Sequence, residues 1–407
     1  MSTNNQPIAI MGTPGYVRHP IRFDDDTMLQ VLGQNSGNLM FQYAAAQIID
    51  APQVHISLAE TSYSDRKALE GISYLVFPAA NHLRLGADWT GLNGYLSSVK
   101  CPLVIMGLGA QSPKVDGELE TIQALKKDKH VCRLVDILRD KAAFVSVRGA
   151  YSQKVCAELG LDNVHVLGCP SALISPELNL GVSLEKKMAT SQAAVDRTTF
   201  AVTAAAPFEI SDDSRKLALE RKLFAWLYSN NGVYVQQSGG VAAMNLANGM
   251  MYKNTENANK SMARILAPDL EQSSFEVFLR SNGRFFLSVI DWMLEMKGLD
   301  FSIGTRLHGN MAAIASGIPG ILIAHDSRTS ELGETMNLPQ ISLDDVLASE
   351  NLLDAIDKVS FDGRAFDTWR RNTALELTVA FDKLNIPLAE HVKALGGNSP
   401  LNNDGQK

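Results

Sequence analysis

The stretch Phe301-Ser-Ile-Gly-Thr-Arg-Leu-His-Gly-Asn310, continued by Met311-Ala-Ala-Ile-Ala-Ser-Gly-Ile-Pro-Gly-Ile-Leu-Ile323, reads as a short strand, a sharp turn, a small-residue helix and a second buried strand. Arg306 and His308 stand two apart, so a strand ending there would direct both to one side and Leu307 into the core. Gly309 would let the backbone turn tightly. A helix starting at about Asn310 would aim its free N–H groups into the same space. A fixed cation, an imidazole and a helix N-terminus on one spot predict a site that binds an anion and moves a proton.

Outward from this stretch, strand-like and helix-like segments alternate along almost the whole chain. Apolar runs at 8–11, 53–57, 74–78, 103–107, 143–147 and 164–167 read as strands, with helices expected at 38–50, 119–138 and 152–159 between them. After a polar, Ser/Ala/Gln-containing stretch the pattern restarts at 200–204, followed by helix 212–228, strand 233–237, helix 284–297 and the Phe301 strand. Segments 341–359 and 364–395 read as helical. Such alternation predicts parallel sheets covered by helices on both faces. The expected organisation is an α/β fold of two Rossmann-like domains: residues 1–180, a linker at 181–199, a second domain at 200–395 and a disordered polar tail at 396–407. Two such domains leave a cleft between them, and ligands bind beyond the carboxyl ends of the strands.

Bulk properties narrow the function. A chain of 407 residues with 45% hydrophobic and 20% charged residues is ordinary globular protein, long enough for two domains. A net charge of −7 argues against a nucleic-acid footprint, so anions must be held by a few local cations. Cys101, Cys132, Cys156 and Cys169 form no CxxC pair, and the eight histidines show no metal-ligand spacing; neither a metal nor a disulfide scaffold is expected. Residues 1–6 lack a signal-peptide pattern, and no apolar run reaches the ~20 residues needed to span a bilayer. The expectation is a cytoplasmic protein without an integral membrane segment.

Other junctions repeat the strand, cation, glycine theme. Ala143-Phe-Val-Ser-Val147 leads into Arg148-Gly149 and a helix, which suits oxyanion binding. Gly168-Cys-Pro-Ser171 is a tight turn after the next strand. His325-Asp-Ser-Arg328-Thr329 follows the 318–324 strand, with Arg328 a further ligand cation and Asp326 a cleft-lining group that could orient a neighbour. Gly33-Gln-Asn-Ser-Gly-Asn38 precedes a helix; Ser36 or Asn38 can cap it, and Asn35 and Asn38 are expected to line the cleft. Gly107-Leu-Gly-Ala-Gln111 has part of a dinucleotide loop but lacks its third glycine and acidic partner.

Arg306-Leu-His-Gly309 with its Ala-rich helix and Gly317-Ile-Pro319, Val147-Arg-Gly149 with Ser152, the Gly168-Cys-Pro170 turn and Gly37-Asn38 together resemble the polysaccharide pyruvyl transferase family. The resemblance implies a GT-B-like two-domain fold and transfer of a pyruvyl group from phosphoenolpyruvate to a saccharide as a ketal, with phosphate release. It implies donor binding and catalysis by Arg148, Arg306, Leu307 and His308, with His308 as the catalytic residue, and no cofactor besides the donor substrate; the residues themselves add Gly309, Asn310 and Arg328 as donor-binding groups. A donor with a phosphate and a carboxylate needs several cationic or amide sites, which these residues could supply. A nucleotide-sugar glycosyltransferase is the alternative on the same fold, with Glu331 or Glu334 as its ribose-binding carboxylate. A non-catalytic glycan- or anion-binding protein is a second.

Overall fold

The computed structural model describes residues 6–56, 70–112, 117–193, 199–248 and 256–397. Two parallel six-stranded sheets organise them. The first contains β1 (Ile8–Met11), β2 (Gln53–Ile56), β3 (Leu75–Pro78), β4 (Leu103–Leu108), β5 (Ala142–Val147) and β6 (His165–Val166), in the order β2-β1-β3-β4-β5-β6. The second contains β7 (Phe200–Thr203), β8 (Val233–Val235), β9 (Gly283–Arg284), β10 (Phe301–Gly304), β11 (Gly320–Ala324) and β12 (Gln340–Ser342), in the order β12-β11-β10-β7-β8-β9. The chain reverses its winding between β1 and β3 in one sheet and between β7 and β10 in the other. Crevices at such switch points are where doubly wound sheets bind ligands.

The strands are apolar on both faces because both are covered. In β1, Ala9 and Met11 join a core with Leu75, Leu96, Leu134 and Val155, while Ile8 and Ile10 point to the opposite core with Val76, Ala45 and Phe381. Residues β1, β3, β7 and β10 are buried throughout, as central parallel strands should be. These are two Rossmann-like α/β units in a GT-B-like pair.

The chain does not divide into them at one point, contrary to the expected boundaries. The helices Gly363–Lys383 and Glu390–Leu395, expected in the second unit, cover the first sheet. Leu377, Phe381, Leu388 and Val392 complete its outer core, and the Ala389 amide donates to the Ile48 carbonyl at 2.8 Å. In return an N-terminal arm leaves the first unit. Val17 donates to the Leu287 carbonyl at 2.9 Å, and Val289 to that of Gly15 at 2.8 Å. The expected linker carries a helix, Leu180–Ala193, held to the C-terminal helix by bonds from the Gly181 and Val182 amides to the Asp367 carboxylate (2.7 and 3.1 Å). Residues 194–198 of that linker and 398–407 of the expected tail lie outside the described residues.

Four expected helical segments are also cut: 341–359 becomes the end of β12 and the helices Leu343–Ala348 and Leu352–Asp357, and 364–395 becomes Gly363–Lys383 and Glu390–Leu395. The one at 119–138 becomes Glu118–Leu125 and Lys129–Lys141, because Asp128 caps the second through the His130 and Val131 amides. The one at 284–297 starts only at Val289, after strand β9.

Candidate functional site

Four side chains reach one pocket from the carboxyl ends of four parallel strands. Arg148 follows β5, Gln237 lies after β8, Arg306 follows β10 and Arg328 lies after β11. Asn35, Leu307, His308, Thr329 and Leu332 complete the lining of about 360 Å³ of empty space between the two units.

The local geometry around Arg306 differs from the strand-end expectation. β10 stops at Gly304, whose φ of 158° and close approach to Thr203 leave no room for a side chain. Thr305 makes the turn, Arg306 is the N-cap, and the helix Leu307–Ala315 begins at once. Arg306 and His308 therefore meet at a helix N-terminus, not on one face of a strand. Gly309 lies inside the helix and outside the pocket lining. Its role is close approach, since a Cβ there would meet Thr203 Cγ2 at 2.6 Å and Gln237 Nε2 at 2.8 Å. Asn310 is not a pocket donor either. Its amide group donates to the Gly304 carbonyl (3.0 Å) and accepts from the Ser302 and Thr203 hydroxyls (2.9 and 3.2 Å). The helix starts three residues earlier than expected, which turns Asn310 toward the sheet.

The three arginines are held from behind. Arg148 is buried; its Nε donates to the Gly107 carbonyl at 3.0 Å and its Nη1 to Asn81 at 2.6 Å. No carboxylate lies within ion-pair distance of it among the described residues. Arg306 donates from Nη2 to the Ser238 hydroxyl at 3.1 Å and to Glu209 at 3.4 Å, and its Nε has no hydrogen-bond partner. Arg328 has only Asp326 at 3.7 Å, too long for a hydrogen bond, and its Nε is likewise unpartnered. Burial lowers the Arg148 pKa to about 10, with Arg328 adding to the effect, yet the group stays charged at neutral pH. Arg306 is lowered by burial and by Arg328. Three like charges in one small space, incompletely paired, make a site that is stabilised by an anion.

His308 packs on Phe41 with ring centroids 5.1 Å apart, and its Nε2 lies 3.7 Å from Cys169 Sγ in the Gly168–Pro170 turn. Burial, then Arg148 and Arg328, hold the imidazole well below its ordinary value, so it is neutral at neutral pH.

Of the other expected residues, Asn35 lines the pocket and Asp326 and Asn38 fall beside it. Asp326 caps the helix Ser327–Met336 by accepting from the Thr329 amide at 2.7 Å; burial opposes its ionisation, but Arg328, His325 and Thr329 outweigh this and keep it below 3.8. Asn35 lines the pocket and accepts from the Gly37 amide at 2.8 Å. Asn38 does not line it: its side chain donates to the Leu32 and Gly33 carbonyls (2.9 and 3.3 Å), and Gly37 is the N-cap of helix Asn38–Ile48. Gln237, Thr329 and Leu332 escaped the sequence reading. Gln237 lies in Gln236-Gln-Ser-Gly-Gly240, after an apolar strand as the arginine loops do, but a neutral amide there carries no chemical signal of its own. Among the described residues, no three His, Cys, Asp or Glu side chains cluster closely enough to hold a metal ion. No described helix is long and apolar enough to cross a membrane.

Fold and pocket together define a GT-B-like protein with a cationic interdomain site. The sequence matches the family of polysaccharide pyruvyl transferases over residues 35–327, well over half its length, and the chain belongs to that family. The family implies a transferase that acts on saccharides. No curated protein matches the sequence. Among solved structures, the chain is similar to the UDP-GlcNAc 2-epimerase of Methanocaldococcus jannaschii, solved with UDP-GlcNAc and UDP (11% identity, TM-score 0.43, covering 92% of this chain and 99% of that one). It is also similar to Anabaena HepE, solved with UDP and glucose (11%, 0.42, 96% and 97%), and to a variant of the wall teichoic acid polymerase TagF (11%, 0.35, 94% and 90%).

Proposed function

We propose that the protein transfers a pyruvyl group from phosphoenolpyruvate to two hydroxyls of a saccharide or saccharide precursor, releasing phosphate, and that the donor occupies the Arg148, Arg306 and Arg328 pocket. The observation that carries this reading is the charge inventory. Three guanidinium groups line one pocket, and one of them, Arg148, has no carboxylate within ion-pair distance among the described residues. Phosphoenolpyruvate brings a phosphate and a carboxylate on a three-carbon frame, which matches that charge. A nucleotide sugar fits less well. Leu307 and Leu332 are the apolar part of the lining, with no aromatic platform for a base. Of the two carboxylates considered for a ribose, Glu331 has both oxygens engaged by Ser152 (2.7 and 3.1 Å), and Glu334 is exposed and outside the pocket lining.

The chemistry balances with the residues present. An acceptor oxygen bonds to C2 of the donor, and C3 takes a proton to become a methyl group. The C2–O bond to phosphate breaks, and the second acceptor oxygen closes the ketal. One of the two hydroxyl protons ends on the methyl carbon and the other on phosphate. His308, neutral at neutral pH, is the group able to accept a hydroxyl proton. The anionic donor offsets Arg148 and Arg328 and so stabilises the imidazolium that results. No cofactor besides the donor is invoked, and the reading carries with it a cytoplasmic reaction.

The test is phosphate release from phosphoenolpyruvate across a panel of sugars. Release that depends on an acceptor is the expected result; tight donor binding without release under any acceptor would make the chain a binding protein. His308→Ala is expected to lower turnover by at least ~10²-fold while donor affinity stays within about threefold. Because the free imidazole titrates well below 6.5, the acid limb of kcat/KM should also lie below pH 6.5. An acid limb above pH 7 that persists in His308→Ala would move the proton transfer elsewhere.

A further inference from the structure

Gln237 is the pocket residue that neither charge nor motif singles out. Its side chain is 1% exposed, and its Nε2 has no hydrogen-bond partner. An unmade bond of this kind is expensive inside a protein unless a ligand completes it. The carboxamide is seated between two glycines: a Cβ on Gly37 would strike its Oε1, and one on Gly309 would lie 2.8 Å from its Nε2. The Gln237 carbonyl accepts from the Ser36 amide at 2.9 Å, which ties this loop to the N-terminal segment. Its neighbour Ser238 holds Arg306 at 3.1 Å. Gln237 and Arg306, each with a vacant donor, thus belong to one end of the pocket.

The other end is built by different contacts. Arg148 is anchored on the Gly107 carbonyl, and Gly107 packs on the turn through Pro170 Cδ and the Gly168 carbonyl. Cys169 of that turn touches His308. Arg328 comes from the helix Ser327–Met336, whose Glu331 binds Ser152, four residues after Arg148. Arg148 and Arg328 therefore enter from the side of the Gly168–Pro170 turn and Arg306 comes with the Gln237–Ser238 loop, while His308 lies between: a Cβ on Gly37 would strike Gln237 Oε1 and stand 3.3 Å from His308 Cβ.

Resting on the phosphoenolpyruvate reading, we propose that the donor lies in one orientation, its carboxylate on Arg306 and Gln237 and its phosphate on Arg148 and Arg328. The charges match end by end. A planar monoanion meets one guanidinium edge and one amide N–H, and a dianion meets two guanidinium groups. Phosphate then departs toward Arg148 and Arg328. Gln237 acts as a binding residue for the carboxylate head alone.

Calorimetry with two probes tests this: phosphoenolpyruvate, which has both heads, and inorganic phosphate, which has one. Gln237→Met, a linear isostere without the N–H groups, is expected to bind phosphoenolpyruvate about tenfold more weakly and inorganic phosphate within about twofold of wild type. Arg328→Gln is expected to lose at least tenfold for both. If Gln237→Met unfolds early, Gln237→Asn, which withdraws the amide from the pocket, gives the same contrast. Equal losses for both probes, or no loss for either, overturn the orientation while leaving the donor assignment standing. Wild-type protein that binds phosphate but not phosphoenolpyruvate overturns the donor assignment and the orientation with it.

Discussion

Beneath Arg306 lies a carboxyl group that the pocket does not expose. Glu220, on the helix Ser214–Ser229, is 1% exposed, and its Oε1 accepts from the Ala205 amide (3.0 Å) and the Thr305 hydroxyl (3.2 Å). It thereby ties the loop after β7 to the loop that presents Arg306. Its Oε2 has no partner. Burial raises its pKa from 4.5 to about 7, against the pull of these bonds and of Arg306. The folded protein thus binds a proton that the unfolded chain has released, between pH 4.5 and about 7. Stability from this group is full below 4.5 and lost as pH rises through 7. Glu220→Gln mimics the protonated form. At pH 8 it is expected to be more stable than wild type, by on the order of 2–3 kcal/mol, with the gap closing toward pH 4.5. Denaturation of both proteins at several pH values checks this; a variant less stable than wild type at pH 8 would show that burial does not penalise the Glu220 carboxylate and that it pairs productively with Arg306.

Single residues also show what the sequence could and could not reveal. Arg148, Arg306, His308 and Arg328 were legible because a cation or imidazole at an apolar strand's end, followed by glycine or a helix start, carries a chemical meaning. Gln237 was not, because a neutral amide in a polar loop carries none until its burial and missing partner are known. Asn310 was over-read for a geometric reason: moving a helix start by three residues rotates every side chain on it by most of a turn.

At the level of elements, the apolar strands could be read because they are buried on both faces. β9 could not, since two residues have no periodicity. The element that decides the site is the helix Leu307–Ala315, and its position against β7 depends on Gly309. Gly309→Ala would bring a methyl group to 2.6 Å from Thr203 Cγ2 and 2.8 Å from Gln237 Nε2. Thr203 is fully buried and cannot swing away, so the helix must lift from the sheet. The expected cost is about 1–3 kcal/mol of stability, with a weaker donor site because Arg306 and His308 ride on that helix. Thermal unfolding and phosphoenolpyruvate affinity should fall together. Lost stability with donor affinity unchanged would mean that the first helical turn adjusts without moving the pocket.

On the scale of the whole molecule, helical periodicity shows that a face is buried but not against which sheet, which is why the crossing of 363–395 onto the first unit was invisible in the sequence. The crossings leave the two units joined at both ends and facing each other at the pocket, where one contact stands out. Glu331, on the helix that carries Arg328, receives the Ser152 amide at 2.7 Å and the Ser152 hydroxyl at 3.1 Å, at the start of the helix that follows Arg148. A buried carboxylate on a helix N-terminus is favoured by both the free N–H groups and the helix dipole. Gly149 makes the approach possible, since a Cβ there would strike the Glu331 side chain. This contact ties the helix that carries Arg328 to the helix that follows Arg148, across the pocket. Glu331→Ala leaves the buried Ser152 amide without its acceptor, a loss in the ~1.5–3 kcal/mol range for bonds to a charged group. If that free energy holds the units closed, donor affinity should drop by about tenfold or more. Small-angle scattering should at the same time report a larger radius of gyration that returns toward wild type at saturating phosphoenolpyruvate. Glu331→Gln, which keeps one acceptor, should be milder on both measures. An Ala variant that folds, scatters like wild type and binds donor normally would show that the remaining contacts, such as Ser36 to Gln237 and Ser327 to Ser112, hold the units closed without it.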